Sequence, residues 1–393
     1  MSTTYIQIIL TLQLLKINNK EIDSLHLQDL PIADSISLCE IIKNNSLLPL
    51  NKRNGITLDS VKNTWDLSKE IMNYSSRGNV QIISKTDSKF PAPLRELHDC
   101  PQLLHVKGNL NILNSDCLAI VGTRNPTQFG KEKAGKLSAE LVERGFTIVS
   151  GLAKGVDTAA HEGALKSNGY TIAILAHGLH TIYPAENRDL ASRILNQNGT
   201  LISEYPWNTS LLPRYLVERD RIQSGMSFGI MVIETGVKGG TMHTVKNCKK
   251  QNRLLMVLHH PKEYDTEENT LGNKEIVSKY SGSNKFCLIE ENDDGQKIVE
   301  KIRNSNVVLH GSDLSETSRS FGVSDISSGY TMQKSIPGFT RAVKISNLDY
   351  VDPDMMDGIN FQNSGKTKNE KVPSKSGRKL KKAEIPDNQK TLL

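Results

Sequence analysis

Residues 117–157 read CLAIVGTRNPTQFG, then a stretch with helical spacing, then GFTIVSGLAKGVD. Two short apolar runs, 118–121 and 146–149, are each cut off by a glycine turn that opens a helix. Continuous apolar runs alternating with helical patterns specify a parallel sheet covered on both faces. In such sheets ligands bind beyond the carboxyl ends of the strands, so these turns are where a site is expected. The same beat continues, with strands expected at 171–175, 200–203, 229–233 and 254–258 and helical patterns such as KEKAGKLSAELVERG and TAAHEGALKSNG between them. The fold class is therefore α/β, a doubly wound and mostly parallel sheet.

The flanks read differently. Residues 1–78 carry helical spacing in IQIILTLQLLK, SLCEIIKNN and DSVKNTWDLSKEIMNY, with Asp59-Ser60 as a helix start, which predicts a small helical domain. VQIISKTD reads as an added strand, and the proline-rich stretch after it as a wrap around the core. The domain division expected is 1–78 helical, 79–304 sheet-bearing and 305–393 an extension that is largely disordered, being Ser/Gly-rich and then basic over 366–382. The apolar fraction of 37% across 393 residues agrees with part of the chain lying outside any core. Five scattered cysteines without a C-x-x-C pair argue against a disulfide framework or a zinc ribbon and suit a reducing cytoplasm. The apolar start is too short to span a bilayer and lacks the marks of a signal peptide, so no membrane association is expected.

The chemistry-bearing residues lie at the turns. Gly122, Thr123 and Arg124 combine close backbone approach with a planar bidentate cation. Ser150, Gly151, Lys154 and Gly155 repeat that logic, with Asp157 as a helix cap and His161 as a surface histidine. The order G-x-x-x-x-G-K-[ST] is absent, which argues against a P-loop nucleotide hydrolase. EYPWNTSLLPRYLVERDRIQSG reads as a long loop carrying Arg214, Arg219 and Arg221 with Tyr205, Trp207 and Tyr215 interleaved. Cations that track a backbone and aromatic faces that stack bases are what single-stranded nucleic acid requires. Gly239, Gly240 and Thr241 form a further anion-nest candidate. His259 and His260 have no sequence neighbours that would complete a metal site, and no metal or other cofactor is expected.

Taken in order, AIVGTRNPTQFG, VSGLAKGVDTAAHEGAL, TIAILAHGLHTIYPAEN, ISEYP, RDRIQSGMS and VIETGVKGGTMHT resemble the core of the DNA-processing protein A (DprA, also Smf) family, over about residues 88–262. The resemblance implies an extended Rossmann-like fold, binding of single-stranded DNA as a homodimer, and loading of the RecA recombinase during natural transformation. It implies a DNA pocket built on Arg124 and the basic residues before Arg219, shaped by Gly122, Gly151, Lys154, Gly155 and Asp157. Tyr183, Pro184 and Asn187 match the family's Y-P-x-x-N turn. The chain departs from the family's Phe-Pro-x-Arg-Asn-Arg, reading Leu216-Val217-Glu218-Arg219-Asp220-Arg221, and has Ala176 and His180 where the family has Gly and Asp. The family's C-terminal winged-helix pattern is not found in 311–393.

Two other readings stay open at this point. One is a sensor of nucleotide-derived ligands from the same superfamily, acting in a defence or mobile-element system. The other is a LOG-type phosphoribohydrolase, for which Asn247 stands where the catalytic glutamate belongs. The favoured reading is non-catalytic. Arg124, Lys154, Arg214, Arg219 and Arg221 contact phosphates, turn N–H groups add hydrogen bonds, and Tyr215 or Trp207 stacks on a base.

Overall fold

The structure is a computed structural model that describes residues 3–305, residue 265 excepted. The extension expected over 305–393, including the basic run 366–382, therefore lies outside the described residues beyond Ser305. The described residues belong to one compact unit, Met1–Glu316.

The chain begins with five helices: α1 Thr3–Leu14, α2 Asn19–Ser24, α3 Ser35–Asn44, α4 Leu50–Gly55 and α5 Leu58–Arg77. The start of α5 lies one residue before the expected one. Thr57 is its cap, its Oγ1 accepting from Ser60 N–H while Ser60 Oγ accepts from Thr57 N–H, so Asp59 falls in the first turn, where its charge favours the helix N-terminus. These helices share an apolar core of Ile9, Leu12, Leu38, Ile42, Val61 and Trp65, into which Leu103 of the neighbouring sheet also packs.

After the helices come β1 Gln81–Ser84, α6 Ala92–Arg95 and β2 Leu103–Gly108. The stretch read as a wrap thus contains a strand, β2. The alternating units follow: β3 Cys117–Val121, α7 Gln128–Val142, β4 Thr147–Ser150, α8 Val156–Lys166, β5 Thr171–Leu175, α9 Arg188–Asn196 and β6 Thr200–Ser203. The segment read as a long loop is half helix, α10 Pro213–Gly225. Proline at its first position fits, because the missing N–H has no helical partner there. The chain closes with β7 Gly229–Val232, α11 Thr241–Lys250, β8 Leu254–Leu258, α12 Glu268–Tyr280, β9 Phe286–Ile289 and α13 Gly295–Asn304.

Among the described residues the strands form one sheet in the order β1-β2-β6-β5-β4-β3-β7-β8-β9. The run from β6 to β9 is parallel throughout, and β2 pairs antiparallel with both β1 and β6. Every residue of β3 is buried, as expected for a strand covered on both faces. Its alternation divides the core. Leu118 and Ile120 meet α7 and α8 through Leu137, Leu141 and Ala160, while Ala119 and Val121 join Ile222 of α10 and Val245 of α11 on the other face. From β3 the chain steps outward through β4, β5 and β6, then returns to β3's other side as β7. The strand order therefore reverses between β3 and β7, and the crevice above such a switch is the place this architecture offers a ligand.

Candidate functional site

Three turns meet above that switch. In the turn after β3, Thr123 N–H donates to the Glu234 carbonyl after β7 at 2.7 Å, and the Thr123 carbonyl accepts from Val156 N–H at the start of α8 at 3.2 Å. Gly155 is needed for this junction: its φ of +80° is left-handed, and a Cβ there would stand 2.5 Å from the Thr123 carbonyl oxygen. With the backbone so pinned, Arg124 is carried out to solvent, where it forms no ion pair among the described residues. The acids at the ends of β7 and β6 are engaged elsewhere. Glu234 is fully buried and accepts from Thr127 N–H at 2.8 Å, from the Thr127 hydroxyl and from His260 Nε2 at 3.2 Å. Glu204 pairs with Arg221.

In the turn after β4, Ser150 is buried and donates to the Ile120 carbonyl at 2.7 Å, so its hydroxyl faces inward. Asp157 is not the cap itself but closes the turn from within the first helical turn, accepting from Gly151 N–H at 3.1 Å and Ala153 N–H at 3.3 Å. Asn187 of the Y-P-x-x-N motif donates to the Leu152 carbonyl at 2.8 Å and to the Thr158 hydroxyl at 2.9 Å. The motif thus holds the turn in place. Lys154 stands exposed at its tip, paired with the equally exposed Glu186. Exposed pairs of this kind add little stability, so Lys154 remains open to exchange its partner for an anion.

Under the turn lies a buried polar layer from α10. The Arg219 guanidinium packs against Gly151, where any Cβ would collide with it, and donates to the carbonyls of Gly151 and Ile174. Its Nε faces Asp220 Oδ1 at 3.3 Å. Gln223, with its amide turned to suit its neighbours, donates to Asp220 at 3.1 Å and accepts from Gly151 N–H at 2.8 Å. Burial pushes the Asp220 carboxyl up to about 6 against the pull of Arg219, with Asp157 pushing the same way. Burial likewise raises Asp157, again opposed by Arg219. Arg221 is also internal, held by Glu204 and by Asp99 at 3.7 Å. Two of the five cations read as phosphate contacts, Arg219 and Arg221, are therefore committed to internal partners.

The outer face of α10 is the reverse. Arg214 is exposed, its guanidinium 5.0 Å from the centre of the Tyr215 ring, and Tyr215 lies 4.2 Å from Tyr205. Trp207, by contrast, is wedged against Gly78 at the end of α5 and belongs to the packing between the helices and the sheet. His161, read as a surface residue, is fully buried on the inner face of α8 with Nδ1 2.6 Å from the Thr171 hydroxyl, and burial holds it down at about 3. After β7, Gly239 N–H closes a turn onto the Gly236 carbonyl at 2.9 Å, and Gly240 and Thr241 open α11, with the exposed Lys238 just before them. Lys238 and Gln223 were not singled out from sequence. Gln223 becomes legible only once residues 213–225 are read as a helix, which sets it one turn after Arg219 and Asp220.

The site is thus an exposed rim of Arg124, Lys154, Arg214 and Lys238, each following the carboxyl end of a parallel strand, over a buried and internally paired floor. Among the described residues no helix is long and apolar enough to cross a membrane.

Residues 81–285 match the family described as DNA recombination-mediator protein A. Protein Smf of Escherichia coli is 39% identical over 47% of this chain and 49% of its own length. DNA processing protein DprA of Bacillus subtilis is 34% identical over 49% of this chain and 64% of its own. The match therefore spans between about half and two thirds of these curated relatives. The X-ray structure of DNA processing protein A from Streptococcus pneumoniae shares the fold, with a TM-score of 0.61 over 77% of this chain and 98% of that one at 24% identity.

Proposed function

This chain belongs to the DNA recombination-mediator protein A family, and on that premise we propose that the rim above the β3–β7 switch binds single-stranded DNA without catalysis. The observation that carries the reading is Arg124: an exposed guanidinium with no ion pair among the described residues, next in the chain to Thr123, whose backbone bonds pin the turn to the start of α8 and the end of β7. An unpaired cation on a pinned turn costs little to place on a phosphate, because no internal salt bridge has to break first. Lys154, Arg214 and Lys238 extend that rim along the sheet edge. A hydrolytic role is less well supported, since Glu234, the acid at the end of β7, is buried and occupied by Thr127 and His260. By the family resemblance, the proposal extends to handing the bound strand to a RecA-type recombinase and to a homodimer, in a cytoplasmic setting.

The test is fluorescence anisotropy of a labelled oligo-dT across a salt series, with the wild type and Arg124→Ala. Wild-type binding at micromolar concentration or tighter should weaken steeply with salt. The variant should bind more weakly, with the slope of log K against log salt reduced by about 0.7 for each single-strand phosphate that Arg124 neutralises in the wild type. Equal binding by both proteins would put the strand elsewhere. Size-exclusion chromatography with light scattering checks the dimer, and recombinase pull-down on coated strands checks the hand-over.

A further inference from the structure

We propose that Arg214 is a base-stacking residue, its guanidinium forming the outermost layer of a stack that receives an unpaired nucleobase. The inference rests on the single-strand reading above and specifies what the site recognises beyond phosphate. Tyr205 lies 4.2 Å from Tyr215 at 31° between their planes, and the Arg214 guanidinium stands 5.0 Å from the centre of the same half-buried ring, so both neighbours crowd Tyr215 and the guanidinium is the exposed plane of the group. The order runs from the buried Tyr205 through the half-buried Tyr215 to the exposed Arg214.

The inner layers are fixed. Tyr205 donates its hydroxyl to Glu218 at 2.9 Å and its N–H to the Ser203 hydroxyl at 3.0 Å. Arg214 is tied to this base by a 3.3 Å bond from Nη2 to the Tyr215 hydroxyl. A guanidinium is a planar, weakly hydrated surface, and such planes receive unstacked bases as aromatic rings do. Leu212 and Val217, exposed on either side of it in the chain, add apolar surface to the N-terminal end of α10. Trp207, the other aromatic able to stack, is already packed on Gly78.

A strand bound through its phosphates alone would be indifferent to whether bases are present; one that also stacks on Arg214 would not. The experiment compares labelled oligo-dT with an abasic deoxyribose-phosphate strand of equal length, using the full chain, Arg214→Lys and Arg124→Ala. The wild type should bind the dT strand about tenfold more tightly than the abasic one, the scale of one stacked base. Arg214→Lys, which keeps the charge and removes the plane, should erase that preference without changing the salt slope. Arg124→Ala should weaken both strands alike and keep the preference. Equal wild-type affinity for the two strands, or a preference retained by Arg214→Lys, overturns the inference while leaving strand binding intact. Failure of the wild type to bind either strand overturns the single-strand reading itself, and the inference with it.

Discussion

Asp220 is the residue whose chemistry is most at odds with its surroundings. It is buried beside the Arg219 guanidinium, which Asp157 also draws on, and burial pushes its carboxyl up to about 6. With both acids ionised, one guanidinium faces two carboxylates, and a net negative charge lies directly under the turn that carries Lys154. Protonation of Asp220 removes it. His243 on α11 pulls the Asp220 carboxyl down, against the push of burial and of Asp157. Strand affinity is therefore expected to rise as pH falls from 7.5 to 5.5. Asp220→Asn should bind at pH 7.5 about as tightly as the wild type does at 5.5, and should lose most of its own pH response over that interval. Anisotropy titrations at both pH values and fixed ionic strength decide it; an unchanged pH response in the variant would assign the effect to other groups.

At the scale of elements, α10 shows why part of the site was hidden. Helices are read from an apolar stripe of period 3.6, but the buried side of α10 consists of Arg219, Asp220, Gln223, Ser224 and Gly225 around a single Ile222. A polar inner face leaves no such stripe, and PRYLVERDRIQSG accordingly read as a basic loop. The central strands had no such difficulty, because burial on both faces makes each a continuous apolar run bounded by turns; β3 to β8 fall within a residue of their expected positions. β2 was missed because it sits in a proline-rich context and pairs antiparallel beyond the repeating units. The glycine turns were legible as a site for the same topological reason. Which of their cations point outward was not, since that depends on partners such as Glu204 and Asp99, distant in sequence. The polar face also predicts how α10 fails. Arg219→Ala leaves Asp157 and Asp220 buried without their cation, and breaking a buried pair in that way costs about 3–5 kcal/mol. Urea unfolding should show that loss as a lower midpoint, and Asp220→Asn, which removes one of the buried charges, should recover part of it when combined. A midpoint within error of the wild type would mean that the guanidinium does not hold this layer together.

For the molecule as a whole, the buried histidines set an acid limit on stability. His105 on β2 is fully enclosed with neither ring nitrogen hydrogen-bonded, and burial holds it down at about 4. His161 on the inner face of α8 is held at about 3 by burial, with Arg219 adding to the effect. Both therefore fold neutral, whereas in the unfolded chain they titrate near 6.5. Between those values the unfolded state binds more protons. The stability these groups confer is complete above about pH 6.5 and drains away as pH falls through 4 and then 3, at up to about 1.4 kcal/mol per pH unit for each. Asp220 works the other way. Its folded carboxyl lies above the ordinary value of 3.8, so the cost of burying its charge, fully present above about pH 6, is relieved on acidification. Burial raises Asp157 and Glu204 in the same sense as Asp220, and lowers His177 and His180 like the two histidines above, so the contribution of one histidine is read by comparing the wild type with a variant that lacks it. Surface carboxylates with lowered values, such as Asp34 and Asp294, lose their contribution only as pH falls below about 4, so they stay out of the window from 6.5 to 4.5. The thermal midpoint of the wild type should fall across that window, and that of His105→Leu should fall less steeply, because a leucine in the same enclosed position has no proton to take up. Parallel curves for the two proteins would show that His105 is already protonated, or solvated, in the folded state.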